Sequence, residues 1–142
     1  MILIDANLLI YAVNEDAPLN RKAKPWFESL LSGRETVGFP WIVLLAFLRL
    51  TTRPGFFRNP LPAETALDLV GSWLDQTCAM VVHPGPRHLP ILRDLLLSSG
   101  TAGNLTSDAH LAALAIESGA ELCSSDSDFA RFSGLRWRNP LA

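Results

Sequence analysis

An aspartate at the end of an apolar run is costly unless something offsets its charge. This chain opens with one: Ile2-Leu3-Ile4 runs straight into Asp5-Ala6-Asn7. Two further acidic stretches lie far downstream. One begins Thr106-Ser107-Asp108-Ala109-His110-Leu111, and one helical stretch later comes Ser124-Ser125-Asp126-Ser127-Asp128-Phe129. Each aspartate sits where a strand should stop or a helix should start, which is the edge from which an open α/β sheet presents its chemistry. No catalytic cysteine and no serine–histidine pattern accompanies them. Carboxylates gathered at such an edge suit a hard divalent cation such as Mg2+ or Mn2+, which prefers oxygen donors. That ion lowers the pKa of a bound water and offsets charge on a phosphate. Plainer roles exist for each acid: Asp108 as a helix cap, Asp126 and Asp128 as turn formers. His110 lies two residues beyond Asp108 on the same helix and so faces elsewhere. His83 and His88 flank Pro84-Gly85-Pro86 and read as structural or exposed.

The elements that must position these acids alternate. Residues 2–4 suit a central parallel strand buried on both faces. Leu8, Leu9 and Ala12 start a short helix. Ala23, Trp26, Phe27, Leu30 and Leu31 repeat at helical spacing before Gly33, with Pro25 kinking that helix or marking its first turn. Strands are expected at Thr36–Phe39, Met80–His83, Glu121–Ser124 and, shortest, Leu135–Trp137. A buried helix is expected from Pro40-Trp41 through Leu50, and a loop from Thr52 to Pro62. Further helices carry Ala66, Leu67, Val70 and Leu74; Leu89, Leu92, Leu95 and Leu96, closing near Gly100; and, after a turn at Gly103-Asn104, the Asp108 helix, ending at Gly119. Strands alternating with helices predict an α/β domain with a parallel sheet covered on both faces.

At 142 residues the chain is expected to be one domain, 1–142. A 49% hydrophobic content excludes a disordered chain. Its apolar runs are too short to span a bilayer, and Asp5 interrupts the one near the start, so no membrane association and a cytoplasmic location are expected. Net charge is −2, which disfavours a generic nucleic-acid coat but leaves room for local basic patches. Cys78 and Cys123 form no framework and read as buried free thiols. Trp26, Trp41, Phe47 and Phe129 read as core or interface.

The blocks Ile2–Asn7, Phe39-Pro40-Trp41 through Thr52, Asn104 through Ala115, and Ser125 through Phe132 together resemble a PIN-domain ribonuclease of the VapC toxin type. The resemblance spans nearly the whole chain. It implies a three-layer α/β/α sandwich around a central parallel sheet. It also implies Mg2+- or Mn2+-dependent endonucleolytic cleavage of RNA, a cognate VapB-type antitoxin that blocks the site, and a homodimer. Asp5, Asp108 and Asp126 match the family's metal-site positions, and Asp128 matches a further acid. The family carries a glutamate in the helix after the second strand; Ala46 stands there instead, and no acid occurs between Glu35 and Glu64.

The expected reaction is therefore hydrolysis of an RNA phosphodiester by metal-activated water, with Asp5, Asp108 and Asp126 holding one or two ions and Asp128 ordering a water or completing a second site. Asn7 and Ser124 are candidates to hydrogen-bond the acids or the substrate phosphate. Arg49, Arg53 and Arg131 are candidates for the RNA backbone. The alternative is a catalytically weak or inactive PIN-fold binding protein, suggested by Ala46. An aspartyl-phosphate phosphatase is disfavoured, because Asn7 stands where its second acid belongs.

Overall fold

The computed structural model of the protein describes residues 1–55, 57–100 and 103–142. Five strands form one sheet: β1 (Ile2–Ile4), β2 (Val37–Pro40), β3 (Ala79–Val82), β4 (Glu121–Cys123) and β5 (Trp137–Arg138). Their order is β3-β2-β1-β4-β5, and every pairing is parallel. Parallel strands need long crossovers, here supplied by α1 (Ala6–Val13), α2 (Asn20–Leu31), α3 (Trp41–Thr51), α4 (Ala63–Leu74), α5 (His88–Ser99) and α6 (Thr106–Ser118). The path steps outward from β1 to β3, then jumps back across β1 to β4. Right-handed crossovers in opposite directions put α1–α4 on one face and α5–α6 on the other, and α1 packs on α2 and α3 as α5 packs on α6. This is the expected α/β/α sandwich. Among the described residues no helix is long and apolar enough to cross a membrane.

The core explains why these residues choose these elements. Leu3, Ile4, Val37, Phe39, Leu122 and Cys123 are sealed in the sheet, while Leu8, Leu9, Leu44, Phe47 and Leu114 seal the helices against it. Gly38 is required inside β2, since a Cβ there would lie 2.3 Å from the Leu3 side chain and 2.7 Å from that of Val82. Trp73 of α4 meets Phe47 edge-on at 4.8 Å and Phe27 at 5.4 Å, tying α2, α3 and α4 together. Such aromatic pairs contribute about 0.5–1.5 kcal/mol each beyond the area they bury.

Several expectations shift. Pro25 lies inside α2, which begins five residues earlier at Asn20, so it does not mark the first turn. Its missing N–H is tolerated because Pro25 is exposed, on the solvent side of the helix. Asn20 also closes the preceding helix, donating to the carbonyls of Tyr11 and Ala12 at 2.9 and 3.2 Å. The last strand is shorter and later than Leu135–Trp137. The turn before α6 is a 3-10 helix over Gly103–Leu105; the Asn104 side chain lies outside what is described, as does Phe56 of the Thr52–Pro62 loop. Cys123 is buried, but Cys78 is only half-buried; both are free. His88 is structural. Its Nε2 meets His110 Nδ1 at 2.9 Å across α5 and α6. Beside them the Glu117 carboxylate accepts the Gly85 and Arg87 backbone N–H groups, each at 2.8 Å.

Candidate metal centre

Register builds the site. Ile4 pairs with Cys123 across β1 and β4, so the residues that follow, Asp5 and Ser124, leave the sheet side by side. This is where the strand order reverses, and the crevice beyond the carboxyl ends of the strands is where an open α/β sheet binds its ligands. The Ser124 hydroxyl donates to Asp5 Oδ2 at 2.7 Å, and the Ala6 N–H donates to Asp5 Oδ1 at 2.8 Å. Asn7 Nδ2 donates to Ser124 Oγ at 3.3 Å, and its Oδ1 accepts from the Ser125 N–H at 3.5 Å. The Asp126 N–H donates to Ser124 Oγ at 3.0 Å. Asp126 in turn caps the 3-10 turn Ser127–Arg131, its Oδ1 accepting from the Asp128 N–H at 2.9 Å. Turn formation and membership of the acidic group are thus not alternatives for Asp126.

Asp108 arrives from the other side. It stands in the first turn of α6, where the helix dipole favours a carboxylate. It is not the cap, a position held by Leu105. With Asp5 it lines a cleft of about 130 Å³ completed by Ala6, Ile42, Val43, Ala46, Ser107 and Leu111. Ala46 is half-buried: it packs at the edge of the core and lines the cleft beside the acids.

The electrostatics confirm the crowding. Burial pushes the Asp5 carboxyl up from its ordinary value, the Ser124 and Ala6 donors pull it back, and the charge of Asp126 raises it again. Asp108 is pushed up to about 6, first by desolvation and then by the charges of Asp5, Asp126 and Asp128, with Arg131 the counterweight. Among the described residues neither Asp5, Asp108 nor Asp126 forms a salt bridge; Asp128 alone does, with Arg131 at 3.3 Å. Among those residues, too, no three His, Cys, Asp or Glu side chains are grouped tightly enough to grip one ion directly. The donor set still fits Mg2+ or Mn2+. All donors are oxygens, negative charge is in excess, and Mg2+ keeps several of its waters while taking one or two carboxylates.

Other candidates fall differently. Ser124 is fully buried, so it cannot touch a substrate phosphate; its hydroxyl is spent on Asp5, Asn7 and the Asp126 backbone. Asn7 is half-buried beside it. Arg131 stands at the acids. Arg49 does not line their cleft: it lines a separate groove with Leu48, Thr52, Ala63 and Leu67. Arg53 is exposed in the loop beyond α3 and lines neither. His110 points away from the acids to His88, as its spacing from Asp108 demands. The cleft walls Ile42, Val43 and Leu111 escaped sequence reasoning because core-facing and cleft-facing apolar residues share one helical period. The adjacency of Ser107 to Asp108 was the available signal for that residue.

Comparison with known proteins agrees with this geometry. A PIN domain model matches residues 2–135. Ribonuclease VapC37 of Mycobacterium tuberculosis is 48% identical over the whole of this chain and 99% of its own length. Ribonuclease VapC33 of the same species is 43% identical over 99% of each chain. Among solved structures, VapBC2 from Rickettsia felis, bound to a DNA fragment from its promoter, has a TM-score of 0.72 at 20% identity, covering 98% of both chains. VapC20 of M. tuberculosis, a sarcin-ricin loop cleaving toxin, has a TM-score of 0.69 at 20% identity, over 96% of this chain and 99% of that one; at such identities the likeness establishes the fold. With full-length identity of that order to VapC37 and VapC33, a PIN match over nearly every residue and acids at the strand-order reversal, the chain belongs to the PIN domain family, among its VapC ribonucleases.

Proposed function

We propose that this protein is the toxin of a toxin–antitoxin pair, an endoribonuclease that hydrolyses RNA phosphodiester bonds with Mg2+ or Mn2+. The observation that carries the reading is the meeting of Asp5, Asp108, Asp126 and Asp128 at one crevice where, among the described residues, only Arg131 offsets them. Asp5, Asp108 and Asp126 would hold the ion, in part through the waters that it keeps. When bound, it supplies Lewis acidity, activating water and offsetting charge on the phosphate. The chain's own groups do the rest. Ser124 and the Ala6 N–H hold Asp5 in one orientation. Asp128, exposed at the rim, orients water, and Arg131 beside it binds the phosphodiester. Water adds to phosphorus as the bond to the 3′ oxygen breaks, leaving a 5′-phosphate and a 3′-hydroxyl.

Apolar surface supports the expected partners. Trp41 and Leu45 of α3 and Leu67 of α4 are exposed on one layer, and Leu89 and Leu97 of α5 on the other. The first patch borders the cleft through Ile42 and Ala46, a place from which a VapB-type antitoxin would block it; the second suits a homodimer. Phe27 is buried and Trp26 half-buried, so α2 contributes less to such contacts than its sequence suggests. The test is incubation of purified protein with cellular RNA and Mg2+ or Mn2+, with sequencing of 5′-phosphate ends. Discrete cleavage abolished by chelator is expected. RNA left intact by folded protein at all metal concentrations supports the inactive alternative.

A further inference from the structure

Where α5 meets α6, outside the cleft of the acids, two histidines converge. His88 Nε2 and His110 Nδ1 lie 2.9 Å apart, with the rings near perpendicular at 74°. Which ring carries the proton between them depends on the other nitrogen of His88. That atom, Nδ1, is buried and has no hydrogen-bond partner among the described residues. The charge facing it is the Glu117 carboxylate, whose Oε1 is 4.0 Å away; both side chains are only 12% exposed. Glu117 is held there by the Gly85 and Arg87 N–H groups, each at 2.8 Å, while the Arg87 guanidinium donates to its carbonyl. A lone pair on Nδ1 would face an anion, whereas a proton there is attracted to it. The favoured tautomer therefore has its proton on Nδ1 and turns the Nε2 lone pair toward His110.

A neutral imidazole with one lone pair directed at a second ligand and its far N–H facing a carboxylate has the arrangement of a metal-ligating histidine. The spacing agrees. Two nitrogens on one ion, with bonds of about 2.0–2.1 Å, stand roughly 2.9 Å apart at a right angle and roughly 3.3 Å at the tetrahedral angle. A small rotation of either ring opens the pair across that range. Among the described residues no third His, Cys, Asp or Glu joins the two, so water would fill the remaining positions.

We propose that His88 and His110 form a two-histidine site for a transition-metal ion of the zinc class, and that the bound ion clasps α5 to α6. Imidazole suits Zn2+, Cu2+ and Ni2+, whereas carboxylate and water suit Mg2+ and Mn2+, so this pair and the acids sort their ions by ligand chemistry. The ion binds the folded chain, where the two rings meet, and thereby stabilises it. The inference does not depend on the reading of the acids.

The test is calorimetric titration of Zn2+ into untagged protein in excess Mg2+, which keeps the acids occupied, with thermal melting in parallel. The proteins are wild type, Asp5→Asn, His88→Gln and His110→Asn. One Zn2+ per chain that raises the melting temperature is expected in wild type and in Asp5→Asn alike. A Gln amide reaches where Nε2 stands and an Asn amide where Nδ1 stands, so each variant can keep a hydrogen bond between the helices while losing an imidazole. Each should weaken Zn2+ by about 100-fold or more, beyond the ~10–100-fold that a group orienting a ligand is worth, and remove the rise in melting temperature. Zn2+ binding that Asp5→Asn abolishes, or that both histidine variants leave untouched, overturns the proposal and leaves the pair a hydrogen-bonded contact only. If one variant does not fold, the other decides. If neither folds, Cu2+ bound to the wild type decides by electron paramagnetic resonance: coupling to two imidazole nitrogens is expected, and a bound-Cu2+ signal without it overturns the proposal.

Discussion

Replacing Ala46 by glutamate adds an acid at the position where the resemblance to PIN-domain ribonucleases leads one to expect it. The perturbation is well defined because Ala46 lines the cleft with Asp5 and Asp108. The cleft of about 130 Å³ exceeds several times the ~30 Å³ that one water occupies in the liquid, so a longer arm has room. Without metal, the new charge meets like charges. At an effective dielectric of about 20, a unit charge roughly 6 Å away costs about 2.8 kcal/mol, and less where water screens it. A net loss of about 1–2 kcal/mol lowers the melting temperature of a domain this size by roughly 2–8 °C. With a divalent cation the same geometry becomes attractive against twice the charge. After dehydration and screening, a gain of about 1.4–2.8 kcal/mol is expected, or about 10- to 100-fold tighter binding. Calorimetric titration of Mg2+ and Mn2+ into wild type and Ala46→Glu measures the affinity, and melting with and without metal measures the crossover. Cleavage should then saturate at lower metal concentration. A folded Ala46→Glu variant with unchanged metal affinity would falsify this reasoning and show that another residue completes the site.

Asp5→Asn should abolish cleavage while the melting temperature stays level or rises, since one of several crowded charges disappears; wild-type cleavage rates in that variant would show that Asp5 is not a metal ligand. Asp108 binds its proton more tightly folded, at about 6, than unfolded, near 3.8; metal-free stability should therefore fall as pH rises between those values and level off above, a slope that Asp108→Asn should flatten in melting curves. Gly85→Ala would bring a Cβ to 2.6 Å from Glu117 Oε2; forcing that latch apart should cost about 1–3 kcal/mol by denaturant titration, with metal affinity unchanged. Leu45→Arg, on the exposed side of α3, should leave cleavage intact but weaken neutralisation by a co-expressed antitoxin; full neutralisation would place the partner's contact elsewhere.

Strands announced themselves wherever an apolar run met a polar stop. Ile2–Ile4 ends at Asp5 and Glu121–Cys123 ends at Ser124, and both strands came out within a residue of expectation. The acids were legible for the same reason, since a carboxylate at a strand end has few other uses. For Ser124 the sequence left two roles open, the acids or the substrate phosphate; its hydrogen bond to Asp5 is the first of them, and its burial, which depends on β5 and on the β1–β4 register, is encoded in no local pattern. That Arg49 lines a groove apart from the acids was not legible, because a helix presents a different face every residue and the period of α3 is nearly apolar all round. The His88–His110 pair spans 22 residues between two helices, a distance at which sequence spacing carries no information.

The pairing of β1 with β4 also has a consequence in time. Chains emerge from the ribosome N-terminal end first, at about 5–20 residues per second. Asp5 is made almost at once, but its neighbours in space, Ser124 and Asp126, come more than a hundred residues later. Strands β1, β2 and β3 and the first helical layer can associate while β4 does not yet exist. Until β4 docks, Asp5 has neither the hydroxyl that orients it nor the acids that complete its charge. A nascent chain is in this sense disarmed by its own strand order. A copy stalled before residue 121 would carry a sheet edge where the crevice should be, and a partner present when β4 arrives would meet the cleft as it closes.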